Sequence, residues 1–151
     1  MSYKSSDWLR DWQIDEVVIR SHGALTHVIG MASDNLSDED IANVFAELRI
    51  LAAAGCPPDR EHGSPRIEKW KKYTQPKWRR AYMIYVLKPK PGRFRLYFYV
   101  HDPKTRQLTI LYVVEKKTDK RDPNDFGKCC RILDKLAAHT AQIQEVDLLA
   151  G

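Results

Sequence analysis

Cysteine is scarce in this chain and long apolar runs are missing. Only three cysteines occur in 151 residues, Cys56, Cys129 and Cys130. None belongs to a CxxC or a Cys/His ligand spacing, which excludes a disulfide scaffold, a thioredoxin-type motif and a zinc ribbon. The adjacent pair falls on the apolar stripe of a helix, a place for reduced core residues. No segment approaches the roughly 20 apolar residues of a membrane span, and the opening MSYKSSDWLRDW lacks the apolar block of a signal peptide. A cytoplasmic protein without membrane contact is expected. Internal repeats and low-complexity tracts are absent. No His/Cys/Asp/Glu cluster has the spacing of a metal site, so no metal or other cofactor is expected, and His22, His27 and His139 read as structural.

What is present is positive charge in one part of the chain. The net charge is +5, but residues 1 to 60 carry ten Asp/Glu against five Lys/Arg, residues 61 to 128 carry seven against eighteen, and the last 23 residues come to −1. Such asymmetry points to a polyanionic partner for the middle of the chain. The length suits one domain over 1–151, large enough to bury a core without metal or disulfide. Residues 1–12 and 140–151 stand apart as extra or flexible terminal segments.

The coarse reading is α+β. A strand is expected at Ile14 to Ile19, and HGALTHVIGMA reads as a first short helix. NLSDEDIANVFAELRILAAAG is a clear helix, with Ser37 as N-cap, acidic residues in the first turn and Ile41, Val44, Phe45, Leu48 and Ala52 on one face. The Pro-rich and basic stretch PPDREHGSPRIEKWKKYTQPKWRR has no clean period and reads as a surface loop with a short helical or extended piece, leading into a strand. A meander follows, Arg80 to Leu87, Arg93 to Val100 and Gln107 to Glu115, joined by short turns. A last helix opens near Pro123 to Asp125, with Phe126, Cys129, Cys130, Leu133, Leu136 and Ala137 as its stripe.

Within the meander, GRFRLYFYV alternates Arg93, Arg95, Tyr97 and Tyr99 with Phe94, Leu96, Phe98 and Val100. Successive strand side chains point to opposite faces, so one face meets a core and the other is cationic and aromatic. Arg and rings together suit phosphate and stacked bases; the alternative is the solvated outer face of a sheet. Lys69, Trp70, Lys71, Lys72, Tyr73, Lys77, Trp78, Arg79 and Arg80 interleave cations and rings in the same way. Here the rings either stack on bases or anchor the segment to the core. His101, in the Asp-Pro turn, is a candidate general base because its side chain type titrates near neutrality. His62 in the basic loop is another, and Glu115 either orients a basic neighbour or pairs with Lys116 or Arg121.

Four features in order resemble the RelE/HigB group of bacterial type II toxin–antitoxin toxins, phage-derived relatives included. These are the helix ending ELRILAAAGCP, the Phe94-Arg95-Leu96 strand core, the Asp102-Pro103 to Arg106-Gln107 turn, and the Lys117-Thr118 element leading into a helix. The likeness covers roughly residues 40 to 138. It implies a compact RelE-like domain with N-terminal helices, an antiparallel β-meander and a C-terminal helix. It also implies a ribosome-dependent mRNA interferase, held inactive by a cognate antitoxin, whose endoribonuclease chemistry needs no metal. A 2′-hydroxyl attacks the neighbouring phosphate, so one proton is taken, another is given, and charge on the phosphate is neutralised.

On that reading Arg95 and Lys117 are catalytic, with His101 and Glu115 beside them. Arg93, Tyr97, Lys116, Lys120 and Arg121 extend the cationic cradle. Family members often carry a Tyr after the last strand, where this chain has Phe126. Two alternatives stand: a ParE-like toxin that inhibits DNA gyrase by binding it, and a non-catalytic RNA-binding module.

Overall fold

A two-residue turn shapes the N-terminal part of the molecule. In the computed structural model, which describes residues 12–32, 34–54, 67–89, 94–102, 104, 106–116 and 122–149, β1 (Gln13–Ser21) turns through His22 and Gly23 into β2 (Ala24–His27). Both turn residues have positive φ, 52° and 80°. That is the backbone of a type I′ hairpin turn, which matches the twist of the flanking strands. The expected first helix over HGALTHVIGMA is therefore corrected. Only Val28–Ala32 is helical (α1), and the residues before it are strand.

A second correction concerns the basic stretch expected as a loop. Ile67–Gln75 is strand β3, paired antiparallel with β4 (Arg80–Leu87). A bulge between Lys69 and Lys71 inserts Trp70, so the inward residues Ile67, Trp70 and Tyr73 recur at intervals of three. A bulge hides a period of two, because the extra residue shifts everything after it to the other face. Strands β5 (Phe94–Asp102) and β6 (Gln107–Glu115) complete the meander. β1 then joins β6 as a parallel neighbour over Gln13–Glu16.

Together these strands form one mixed sheet of seven, with β7 (Ala141–Glu145) added antiparallel to β1. Strand occupies about 47% of the described residues and helix about 32%. The expected RelE-like α+β domain with N-terminal helices is overturned by this result: the molecule is dominated by strands, and its N-terminal part is a hairpin. Residues set apart as a terminal segment also prove to be sheet. β7 is reinforced by Val146 N–H donating to Ile14 O at 2.9 Å and by Arg20 Nη2 donating to Gln142 Oε1 at 3.0 Å. Its apolar alternation is confined to Ala141, buried, and Ile143, half-buried, too short a pattern for a sequence reading to use.

Two longer helices cover the sheet. α2 (Asp38–Ala54) starts as expected, with Ser37 Oγ accepting from Asp40 N–H at 3.0 Å, and it buries Val44, Leu48, Leu51 and Ala52. α3 (Pro123–Ala137) is capped by Asp122, whose Oδ1 accepts from Asn124 N–H at 2.9 Å, and it carries Pro at its first turn. It ends where His139 takes a left-handed conformation, φ 62°, with Thr140 N–H bonded back to Lys135 O. α3 buries Cys129, Ile132, Leu133, Leu136 and Ala137, while Cys130 is half-buried.

Because helices and β3 side chains lie over it, β5 is buried on both faces. All six residues from Phe94 to Tyr99 are buried. The expected cationic, solvent-facing side of this strand is thus corrected. Arg95 is 3% exposed and Tyr97 1%, roofed by Trp70 and by the first turn of α3.

Candidate nucleic-acid interface

The candidate catalytic residues do not meet at one point. Arg95 and His101 lie on the same strand six residues apart, about 20 Å at the rise of an extended chain, which is too far to serve one phosphate. Glu115 is exposed at the Arg95 end, paired in register with Phe94 and so on the sheet face opposite Arg95. Arg93, Lys117, Lys120 and Arg121 lie outside the described residues, as does His62.

At the Arg95 end the polar groups are locked together. Tyr97 Oη donates to Asp125 Oδ2 at 2.8 Å, and Lys116 Nζ pairs with the same oxygen at 2.8 Å. Lys116 also reaches Asp122 at 3.4 Å. Burial, and then the bond to Asp125, push the Tyr97 phenol well above its ordinary range, with the neighbouring Arg95 guanidinium pulling the other way. Asp125 is 3% exposed. These contacts clamp the N-terminus of α3 to the sheet. Arg95 and Tyr97 lie inside the protein, where Tyr97 has no open ring face for a base, and Lys116 is half-buried with its ammonium tied to two carboxylates. Trp70 packs tilted against Tyr97 and edge-on against Phe126, ring centroids 5.4 Å apart in each case.

The other end is open. Arg80, Tyr82, His101, Asp102 and Lys104 line a cleft of about 380 Å³. His101 Nδ1 lies 3.0 Å from Tyr99 Oη, and Tyr99 is fully buried. Burial, and then the nearby Tyr82, keep that phenol protonated well above its ordinary range. A neutral hydroxyl can donate to a neutral imidazole or accept from a protonated one. It therefore orients His101 in either state and leaves Nε2 as the nitrogen not engaged by Tyr99. Arg80 is held over the Tyr82 ring at 4.9 Å. The Asp102 carboxylate accepts from Lys104 N–H at 2.9 Å and shapes the turn.

Exposed cations cluster on the β3–β4 hairpin that carries Arg80. Lys69, Lys71 and Lys72 on the edge strand β3, Lys77 and Arg79 in the turn, and Arg80 at the start of β4 are all exposed. Arg79 has φ 56°, a left-handed residue closing the turn. The interleaved rings are core anchors: besides Trp70, Trp78 packs 5.8 Å from Tyr82, and Tyr73 Oη donates to Asp134 Oδ1 at 2.6 Å. The cations of this run are thus available to phosphate and the rings are committed to the fold. His22, His27 and His139 occupy a turn, a bond to Glu16 at 3.0 Å and a helix end.

The Tyr73–Asp134 bond, with burial added, raises the Tyr73 phenol to about 12. Since the folded value lies above that of the unfolded chain, about 10, the stability it contributes is complete below pH 10. That contribution is lost as pH rises toward 12. Tyr97 and Tyr99 act in the same direction. Spectrophotometric titration should show Tyr73, Tyr97 and Tyr99 missing from the ordinary phenolate transition of the folded protein and restored in urea. A folded protein in which all seven tyrosines ionise together near pH 10 would contradict these bonds.

Lys104 and Tyr82 were not singled out by the sequence, and Tyr99 was read as part of a base-stacking face, not as the partner of His101. The available signal was the Tyr-Val-His spacing, which puts Tyr99 and His101 on one strand face, and a Lys three residues after His101 in the same turn. Among the described residues no three His, Cys, Asp or Glu side chains come together as metal ligands, and no helix is long and apolar enough to cross a membrane. No protein-family model matches this chain, and neither a curated protein nor a solved structure matches it.

Proposed function

We propose that the protein is a metal-independent endoribonuclease that cuts mRNA in the cytoplasm and so inhibits translation, as a toxin restrained by a partner antitoxin does. The observation that carries this reading is His101, oriented by the buried Tyr99 hydroxyl in a cleft with Arg80 and Lys104. His101 takes the proton from the 2′-hydroxyl, and the freed oxygen attacks the adjacent phosphorus. The bond to the 5′-oxygen breaks, leaving a 2′,3′-cyclic phosphate, and the 5′-oxygen takes a proton from the Lys104 ammonium. Arg80 holds the phosphate oxygens in its fork. Lys77 and Arg79, in the turn before Arg80, hold the strand beside it, sequence-independently and with a steep dependence on salt.

A non-catalytic RNA-binding role is the second reading, favoured by the burial of Arg95 and Tyr97, which removes them from any contact with substrate. Primer extension on mRNA from cells induced for the protein decides between the readings. Discrete cuts, codon-linked if the ribosome presents the substrate, are expected. Intact mRNA with RNA still bound would leave the binding role, and DNA breaks with intact mRNA would point to gyrase.

A further inference from the structure

A second cleft, of about 590 Å³, opens on the other side of the molecule between α1, α3 and the C-terminal half of β6. Its origin is topological. β1 pairs with β6 only through β6 residues 107–110, while β5 pairs with β6 along its length. From Val18 onward β1 pairs instead with β2. Residues Leu111–Glu115 are therefore left with one strand neighbour among the described residues. This stretch without a second strand neighbour runs for about 13 Å at 3.3 Å per residue; α1 packs against β6 and Leu111 and Val113 are buried, while Tyr112, Val113, Val114 and Glu115 line the cleft.

The walls differ in character. α1 supplies Val28 and Met31, the latter 43% exposed. α3 supplies Lys128, Arg131 and Lys135, all exposed and spaced three and four apart so that they share one face. Lys128 Nζ donates to Tyr112 Oη at 3.0 Å, a bond that raises the lysine above its ordinary range and fixes one cation at the rim.

We infer that this cleft takes an acidic, extended segment of a partner protein, which adds as a strand to the free edge of β6. An unpaired edge supplies backbone donors and acceptors, apolar side chains of the segment meet Val28 and Met31, and its carboxylates meet the three cations of α3. Nucleic acid fits less well, since it has no backbone that continues a β-ladder. The inference stands apart from the RNase reading, because the cleft shares no residue with the His101 site.

The test uses the full chain and a synthetic eight-residue peptide of alternating Glu and Val. Binding followed by hydrogen exchange should show new protection of amides within Leu111–Glu115, and the double variant Arg131→Glu/Lys135→Glu should bind at least tenfold more weakly with unchanged circular dichroism. A matching Lys/Val peptide should not bind. Three results would overturn the inference: peptide binding without protection of the β6 edge, equal binding by the charge-reversed variant, or displacement of the peptide by a short RNA. Because RNA cleavage is measured separately, failure here leaves the RNase reading untouched, and the reverse also holds.

Discussion

His101→Ala is expected to reduce RNA cleavage by about 10²–10⁴-fold, the range for removal of a general base, with the fold intact. His101 is only half-buried and its described polar contact is the 3.0 Å bond to Tyr99, so its loss uncovers no buried charge. Folding stability should stay within about 1 kcal/mol. Tyr99→Phe tests the positioning role. It keeps the buried ring and removes the hydroxyl, so kcat should fall about tenfold, as expected for one hydrogen bond, with KM little changed. Arg80→Ala should raise KM and make its dependence on salt shallower, since one phosphate contact is lost, and Lys should restore only part, because an ammonium does not replace the guanidinium fork. Cleavage products should end in a cyclic phosphate and form undiminished in EDTA. If His101→Ala cuts at the parent rate, this cleft is not the reaction centre.

Asp125→Ala is expected to be the most destabilising single change, by about 3–5 kcal/mol, the cost of breaking a buried ion pair from one side. The substitution affects two groups at once, both 2.8 Å from Asp125 Oδ2: it removes the partner of the Tyr97 hydroxyl and leaves the Lys116 ammonium, whose side chain is 17% exposed, with the longer 3.4 Å contact to Asp122. A loss of this size is a large share of the 5–15 kcal/mol of a typical domain and lowers Tm by about 10 °C for a chain of this length. Urea unfolding measures it. Asp125→Ala combined with Lys116→Met should recover part of the loss, since the uncompensated charge goes as well. A single variant within 1 kcal/mol of the parent would mean that the clamp at the start of α3 is not formed. Arg95→Ala belongs to this class of change. With Arg95 3% exposed, its removal should disturb packing at the clamp, so lost activity in that variant is no sign of a role at the phosphate.

Local signals were legible where one rule acted alone. The α2 cap at Ser37, the acidic first turn, the three meander strands and the start of α3 could be read because capping, periodicity and turn chemistry are short-range. β3 escaped because one bulge at Trp70 breaks the alternation. β2 escaped because a four-residue strand is too short to show a period, and its turn uses His22 beside Gly23 where Asn-Gly would have announced it. β7 escaped because an edge position asks for only one buried residue.

The sequence by itself determined that the middle of the chain is cationic, that lysines and arginines cluster between residues 69 and 80, and that Tyr99 and His101 share a strand face. These follow from composition and from the period of two. Only the tertiary structure decided which cations reach solvent. Alternation says that Arg95 and Phe94 point apart, but it cannot say whether the second face is bare. Trp70, Phe126 and Asp125, 25 or more residues away along the chain, arrive there only when β3 and α3 pack, and they turn an outward strand face into an interior one. The same long-range pairing brings Arg80, from another strand, beside His101. Adjacency of that kind is set by sheet order and register, which no local pattern encodes.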